Sequence, residues 1–160
     1  LSTADCVKTA RAVCEALAYA HQEGVIHRDL KPSNIMLSAQ GFVKIMDFGI
    51  ARQAKDTVTR ATGLVTSGTF AYMAPEQHEG RFDARSDLFS LGVTLYEAAT
   101  EKLPFGGPEF ITQKSRMAYD RLPGPFGDIL DLCLQADREK RMPSAEQLRR
   151  ELAALDKAGY

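Results

Sequence analysis

Within eight residues, His27-Arg28-Asp29-Leu30-Lys31-Pro32-Ser33-Asn34, the chain carries a carboxylate, an ammonium and a carboxamide. A second carboxylate, Asp47, follows 13 residues after Asn34, inside Asp47-Phe48-Gly49. These groups can move a proton, meet an anion and bind a hard cation. A carboxylate such as Asp29 can orient an attacking hydroxyl and accept its proton. Lys31 can meet a transferring phosphate as a point charge. The amide oxygen of Asn34 and the carboxylate of Asp47 are hard oxygen ligands of the kind Mg²⁺ takes.

Such a set works only if the chain folds it together. Residues 3–22 read as an amphipathic helix, because Cys6, Ala10, Val13, Cys14 and Leu17 recur at helical spacing. Ser2 and Asp5 mark its start and Gly24 its stop. Ile35-Met36-Leu37 and Val43-Lys44-Ile45-Met46 read as two short strands, with Ser38-Ala39-Gln40-Gly41 as the turn of a hairpin. That hairpin carries Asp47 back towards Asn34. Residues 50–70 are rich in Thr, Ser, Gly and charge, and read as a long surface loop of the kind that usually has a function. Residues 86–100 are apolar on nearly every side, so they predict a buried central helix. Shorter helices are expected over 109–119 and 127–136, separated by Pro123-Gly124-Pro125. The last helix starts at Ser144, with Gln147 completing a capping box.

The first segment fits the pattern H-R-D-L-x-x-x-N, and Asp47-Phe48-Gly49 and Ala74-Pro75-Glu76 follow in order. In this the sequence resembles the protein kinase family, from its first predicted helix to its last. The resemblance implies a mainly α fold with a small β-hairpin, residues 1–160 forming one C-terminal kinase lobe without its N-terminal lobe. It implies phosphoryl transfer from ATP, with Mg²⁺, to Ser or Thr hydroxyls of a protein substrate. Asp29, Lys31, Asn34 and Asp47 would be the catalytic residues, with Asn34 and Asp47 on the metal. Lys31, Asn34, Met36 and Asp47 would face the nucleotide. His27 and Phe48 resemble members of a stacked apolar spine, so His27 is expected to pack rather than to act as a base. Asp87 resembles the aspartate that holds the catalytic-loop backbone, and Glu76 and Arg141 resemble a structural ion pair. Thr69 resembles a threonine that bonds the catalytic aspartate and lysine, and with Lys31 it points to the Ser/Thr class. Arg28 resembles an arginine that pairs with a phosphorylated loop residue; Thr57, Thr59, Thr62, Thr66 and Ser67 are candidates, Thr62 and Thr66 preferred. The stretch from Asp83 to Glu97 reads like bacterial members.

The family pattern is incomplete. No G-x-G-x-x-G and no V-A-I-K-like segment precedes His27, so the Gly-rich loop and strand lysine of the N-terminal lobe are not in these 160 residues. The chain also begins at Leu1 rather than Met, and a piece of a longer polypeptide is expected. A rival reading is an inactive docking module using the 50–70 segment and the helices around residues 108–136. Asp137-Arg138 stands where many relatives have Asp-Pro, a change to a turn.

Composition narrows the partners. Twenty basic side chains against 21 acidic ones give a formal net charge of -1, which offers no reason to propose nucleic acid. No apolar run approaches the length of a membrane span. Three cysteines, Cys6, Cys14 and Cys133, form no C-x-x-C pair, so neither a disulfide framework nor a zinc site is expected. A cytoplasmic setting follows as an expectation, with the parent protein free to be membrane-tethered. His21 and His78 read as surface or helix-end residues.

Overall fold

A computed structural model describes residues 1–48 and 67–159, with the backbone alone at Ser67 and Gly68. Helix α1 spans Thr3–Gln22, capped by the Ser2 hydroxyl, which accepts from the Asp5 N–H. A 3₁₀ turn at Pro32–Asn34 leads into strand β1, Ile35–Leu37, which pairs antiparallel with β2, Val43–Ile45. Two single turns follow, α2 at Ser67–Phe70 and α3 at Pro75–His78. Helix α4 covers Ala84–Thr100, α5 Phe110–Arg116, α6 Gly124–Cys133 and α7 Ala145–Lys157. The fold is mainly α with one small β-hairpin, as the sequence predicts.

The core forms around α1 and α4. Cys6, Val7, Ala10, Val13, Cys14 and Leu17 of α1 meet Leu88, Leu91 and Leu95 of α4, and Leu148, Leu152 and Leu155 of α7 close the other side. Every residue of α4 from Ser86 to Tyr96 is buried, which is what an all-round apolar helix requires. Gly92 lets α4 and α6 approach, since a Cβ there would meet the Cys133 Cβ at 2.8 Å. A second cluster, Ala74, Phe89, Val93, Phe105 and Leu134, packs on the opposite face of α4. All three cysteines are buried free thiols.

Several boundaries differ from the sequence reading. Helix α6 begins at Gly124, not 127, because Pro125 falls in the first turn, where its missing N–H breaks no bond. Helix α4 begins at Ala84, two residues early, because Asp83 caps it and accepts from the Arg85 N–H. The capping box at Ser144 is half made. The Ser144 hydroxyl accepts from the Gln147 N–H, but the Gln147 amide bonds Glu151 instead of turning back. The end of the expected 50–70 loop is helical at Ser67–Phe70. Among the described residues no helix is long and apolar enough to cross a membrane.

Candidate active site

The segment from His27 to Asn34 is irregular, so its backbone donors need partners from elsewhere. Asp87 supplies two of them. From the first turn of α4, its Oδ2 accepts from the His27 N–H at 2.8 Å and its Oδ1 from the Arg28 N–H at 2.8 Å. Asp87 is fully buried. It is also 2.7 Å from His21 Nε2; His21 lies at a helix end, as expected, in the last turn of α1, and is a partly buried partner. Arg28 takes φ 74°, a left-handed conformation disfavoured for any residue with a Cβ. The bonds on both sides of it hold that geometry, since Gln77 Nε2 donates to the Arg28 carbonyl at 2.9 Å.

His27 is fully buried. The Asp29 N–H donates to its Nδ1 at 3.1 Å, and its Nε2 lies 2.7 Å from the Met46 carbonyl. A carbonyl only accepts, so Nε2 carries the proton and Nδ1 the lone pair. Both ring nitrogens are thereby used to join the loop to the strand end. The His27 ring also packs on Phe48, centroid to centroid 4.7 Å. Both ring nitrogens and one ring face are thus engaged within the fold.

The groups able to do chemistry converge on this frame. Lys31 Nζ lies 3.7 Å from Asp29 Oδ2 and donates to the Thr69 hydroxyl at 3.0 Å. Asn34 is buried, and its Nδ2 donates to the Asp29 carbonyl at 2.7 Å. Asp47 arrives through the hairpin. The register Ile35↔Ile45 continues into a Met46 N–H bond to the Asn34 carbonyl at 2.8 Å. Asp47 itself is exposed and takes φ 57°. Met36 is half-exposed on β1. A cleft of about 620 Å³ adjoins this cluster, lined by Lys31, Thr69, Ile35, Val13, Leu91 and Leu95 among others. Gly49, Thr57, Thr59, Thr62 and Thr66 lie outside the described residues, as does the side chain of Ser67. Arg28 stacks its guanidinium 3.9 Å over the Phe82 ring.

Below the site, Glu76 and Arg141 form the ion pair at 2.6 Å, both buried. Burial pushes the Glu76 carboxyl up, but the hydrogen bonds and charge of Arg141 outweigh it and hold the group below its usual range. Ser86 donates a further bond to Glu76. The segment leading into Glu76 is tied at many points. Ser90 donates to the Tyr72 carbonyl at 2.7 Å, the Tyr72 hydroxyl donates to Glu97 at 2.6 Å, and the Ala74 N–H donates to Gln77 Oε1. Lys114 donates to the Phe70 and Met73 carbonyls.

His21, Gln77 and Lys114 are absent from a motif-based reading. Each is a polar residue whose partner is 36 or more residues away in the chain. Only the Gln77 side chain has a local partner as well, the Ala74 N–H three residues before it.

The protein kinase domain family matches residues 1–152, and the chain belongs to that family. It is similar to the "Probable serine/threonine-protein kinase PknB" of Bifidobacterium longum, 40% identical over 174 aligned positions covering 99% of this chain and 25% of that protein. It is also similar to the "Serine/threonine-protein kinase PknB" of Mycobacterium tuberculosis, 40% identical over 156 positions, 89% of this chain and 25% of that protein. The Mycobacterium leprae protein of the same name is 52% identical over 95 positions, 59% of this chain and 15% of that one. The chain thus spans about a quarter or less of the length of these curated relatives.

Proposed function

We propose that residues 1–160 form the C-terminal lobe of a Ser/Thr protein kinase that transfers the γ-phosphoryl group of ATP, with Mg²⁺, to a protein hydroxyl. The observation that carries this reading is the Asp29–Lys31–Thr69 cluster on a loop clamped by Asp87. Asp29 orients the substrate Ser or Thr hydroxyl and takes its proton as the oxygen bonds to phosphorus and the bond to the β-phosphate oxygen breaks. Lys31, held by Thr69, places its charge on the phosphoryl oxygens in flight. Mg²⁺, when bound, neutralises phosphate charge. The donor set fits it: the Asn34 amide nitrogen is spent on the Asp29 carbonyl, which leaves Oδ1 as its ligand atom, and the Asp47 carboxylate is exposed. The adenine and phosphate grip of an N-terminal lobe completes the cleft, and Met36 and Leu37, half-exposed, suit its floor.

The test is phosphate transfer from labelled Mg·ATP to a generic Ser/Thr substrate by the full gene product, with Asp29→Asn as control. Transfer reduced by about a thousandfold or more in the variant supports the reading, given what removal of a concerted group costs. Normal transfer by Asp29→Asn overturns the assignment of Asp29. No transfer by the unaltered protein favours the docking reading.

A further inference from the structure

Lys114 is the one lysine among the described residues that is fully buried. Among those residues it meets no carboxylate. Its Nζ donates to the Phe70 carbonyl at 2.5 Å and the Met73 carbonyl at 2.8 Å, and lies 3.1 Å from His78 Nε2. The Phe110 ring stands 5.1 Å from the same nitrogen and the Phe89 ring 6.0 Å. Burying an ammonium without an anionic partner is costly, and hydrogen bonds must offset that cost. Here they end on one short turn.

That turn is weak by itself. Its own backbone bonds, Tyr72 N–H to Thr69 O and Met73 N–H to Phe70 O, are both 3.3 Å long. The bonds from Lys114, at 2.5 and 2.8 Å, are shorter than either of these, which makes them the closer ties. Thr69 sits at the first position of this turn and accepts from Lys31 at 3.0 Å. We propose that Lys114 is a positioning residue: by fixing the Phe70 and Met73 carbonyls it holds Thr69 against Lys31, and so sets the placement of the phosphate-facing ammonium.

The site keeps its bonds in either charge state. As an ammonium, Lys114 donates to both carbonyls and to a His78 ring whose proton sits on Nδ1. As an amine, it donates to the two carbonyls and accepts from a His78 ring protonated at Nε2. Burial lowers Lys114 to about 7, and burial together with the Lys114 charge lowers His78 to about 4. Among the described residues, the other charged groups near the pair are Glu76 of α3 and Arg141, which shares the Phe89 ring.

This inference rests on the proposed role of Lys31, and the test separates the two. Lys114→Met in the full gene product keeps the aliphatic stem and deletes the donors. Amide hydrogen exchange across residues 69–73 is expected to quicken about tenfold, with α1 and α4 unchanged. In the same variant kcat should fall about tenfold while the KM for nucleotide moves less than about twofold. Unchanged protection at 69–73 overturns the proposal, and so does loosened protection with unaltered kcat. If the unaltered protein transfers no phosphate, the kinase reading fails, and the exchange result alone then decides whether Lys114 holds the turn. If Lys114→Met loses the fold, His78→Asn removes one of the three polar contacts of Lys114 and should quicken exchange at 69–73 alone, by about threefold. No change there overturns the proposal as well.

Discussion

The carboxylate of Asp87 accepts the backbone N–H groups of His27 and Arg28 at 2.8 Å each, across about 60 residues of sequence. One buried side chain therefore fixes the entry of the loop on which Asp29, Lys31 and Asn34 sit. The acidic residue lies in the first turn of α4, where the helix field also favours negative charge.

Asp87→Ala should be among the most damaging single changes. It strands two backbone donors and the His21 ring, all largely shielded from solvent. The expected loss is about 3 kcal/mol or more, because each buried group left unpaired costs roughly 1–3 kcal/mol. Urea unfolding followed by circular dichroism reads this directly. A loss under about 1 kcal/mol would mean that water reaches the loop and replaces the carboxylate.

The Glu76–Arg141 pair makes a different prediction. Removing one partner, as in Arg141→Met, leaves a buried uncompensated carboxylate and should cost about 3–5 kcal/mol. Removing both, as in Glu76→Leu with Arg141→Met, should cost less than the two single changes added together. Additive losses in a double-mutant cycle would show that the pair is not coupled as its 2.6 Å separation implies.

Thr69→Val tests the bond to Lys31 with almost no change in volume. Phosphate transfer should drop about tenfold, and Thr69→Ser, which keeps the hydroxyl, should recover most of it. Equal rates in the Val and Ser variants would remove Thr69 from the site.

Stability should climb with pH in two windows. Folding lowers His78 from 6.5 to about 4, so between those values the unfolded chain holds a proton that the folded chain lacks. Stability therefore falls as the solution is acidified from pH 6.5 towards 4. Folding also lowers Lys114, from 10.5 to about 7, and stability rises from pH 7 towards 10 by the same reasoning. The carbonyls bonded to the ammonium oppose that second shift and moderate its slope. Urea midpoints measured from pH 4.5 to 9 check both windows. His78→Asn should flatten the lower one and Lys114→Met the upper.

Gly127 in α6 offers a sharper packing test. In most helix interiors Gly→Ala stabilises, by about 1 kcal/mol. At this position a Cβ would lie 1.8 Å from the Leu122 carbonyl oxygen, a backbone atom that cannot swing aside. Gly127→Ala should destabilise by about 1–3 kcal/mol, the range for overpacking. A gain in the thermal midpoint would contradict the packing of this helix on the 122–124 turn.

What the sequence determined was whatever is written in local spacing. The α1 stripe from Cys6 to Leu17, the two strands, the apolar α4 and the Ser144 cap are periodic or pairwise signals within a few residues. The motifs around Asp29 and Asp47 likewise carry the family, because residue type and order suffice to recognise them. Tertiary structure alone decided the rest. Only the packing of α4 against α1 brings Asp87 onto both the His27 loop and His21. The placement of α5 alone turns Lys114 inward, onto carbonyls more than 40 residues earlier. The proline cluster at 123–125 lies after α5 and also opens α6, because a proline in a first turn needs no donor. A buried polar residue is chosen for a partner far along the chain, so its role becomes legible only when folding has put the two side by side.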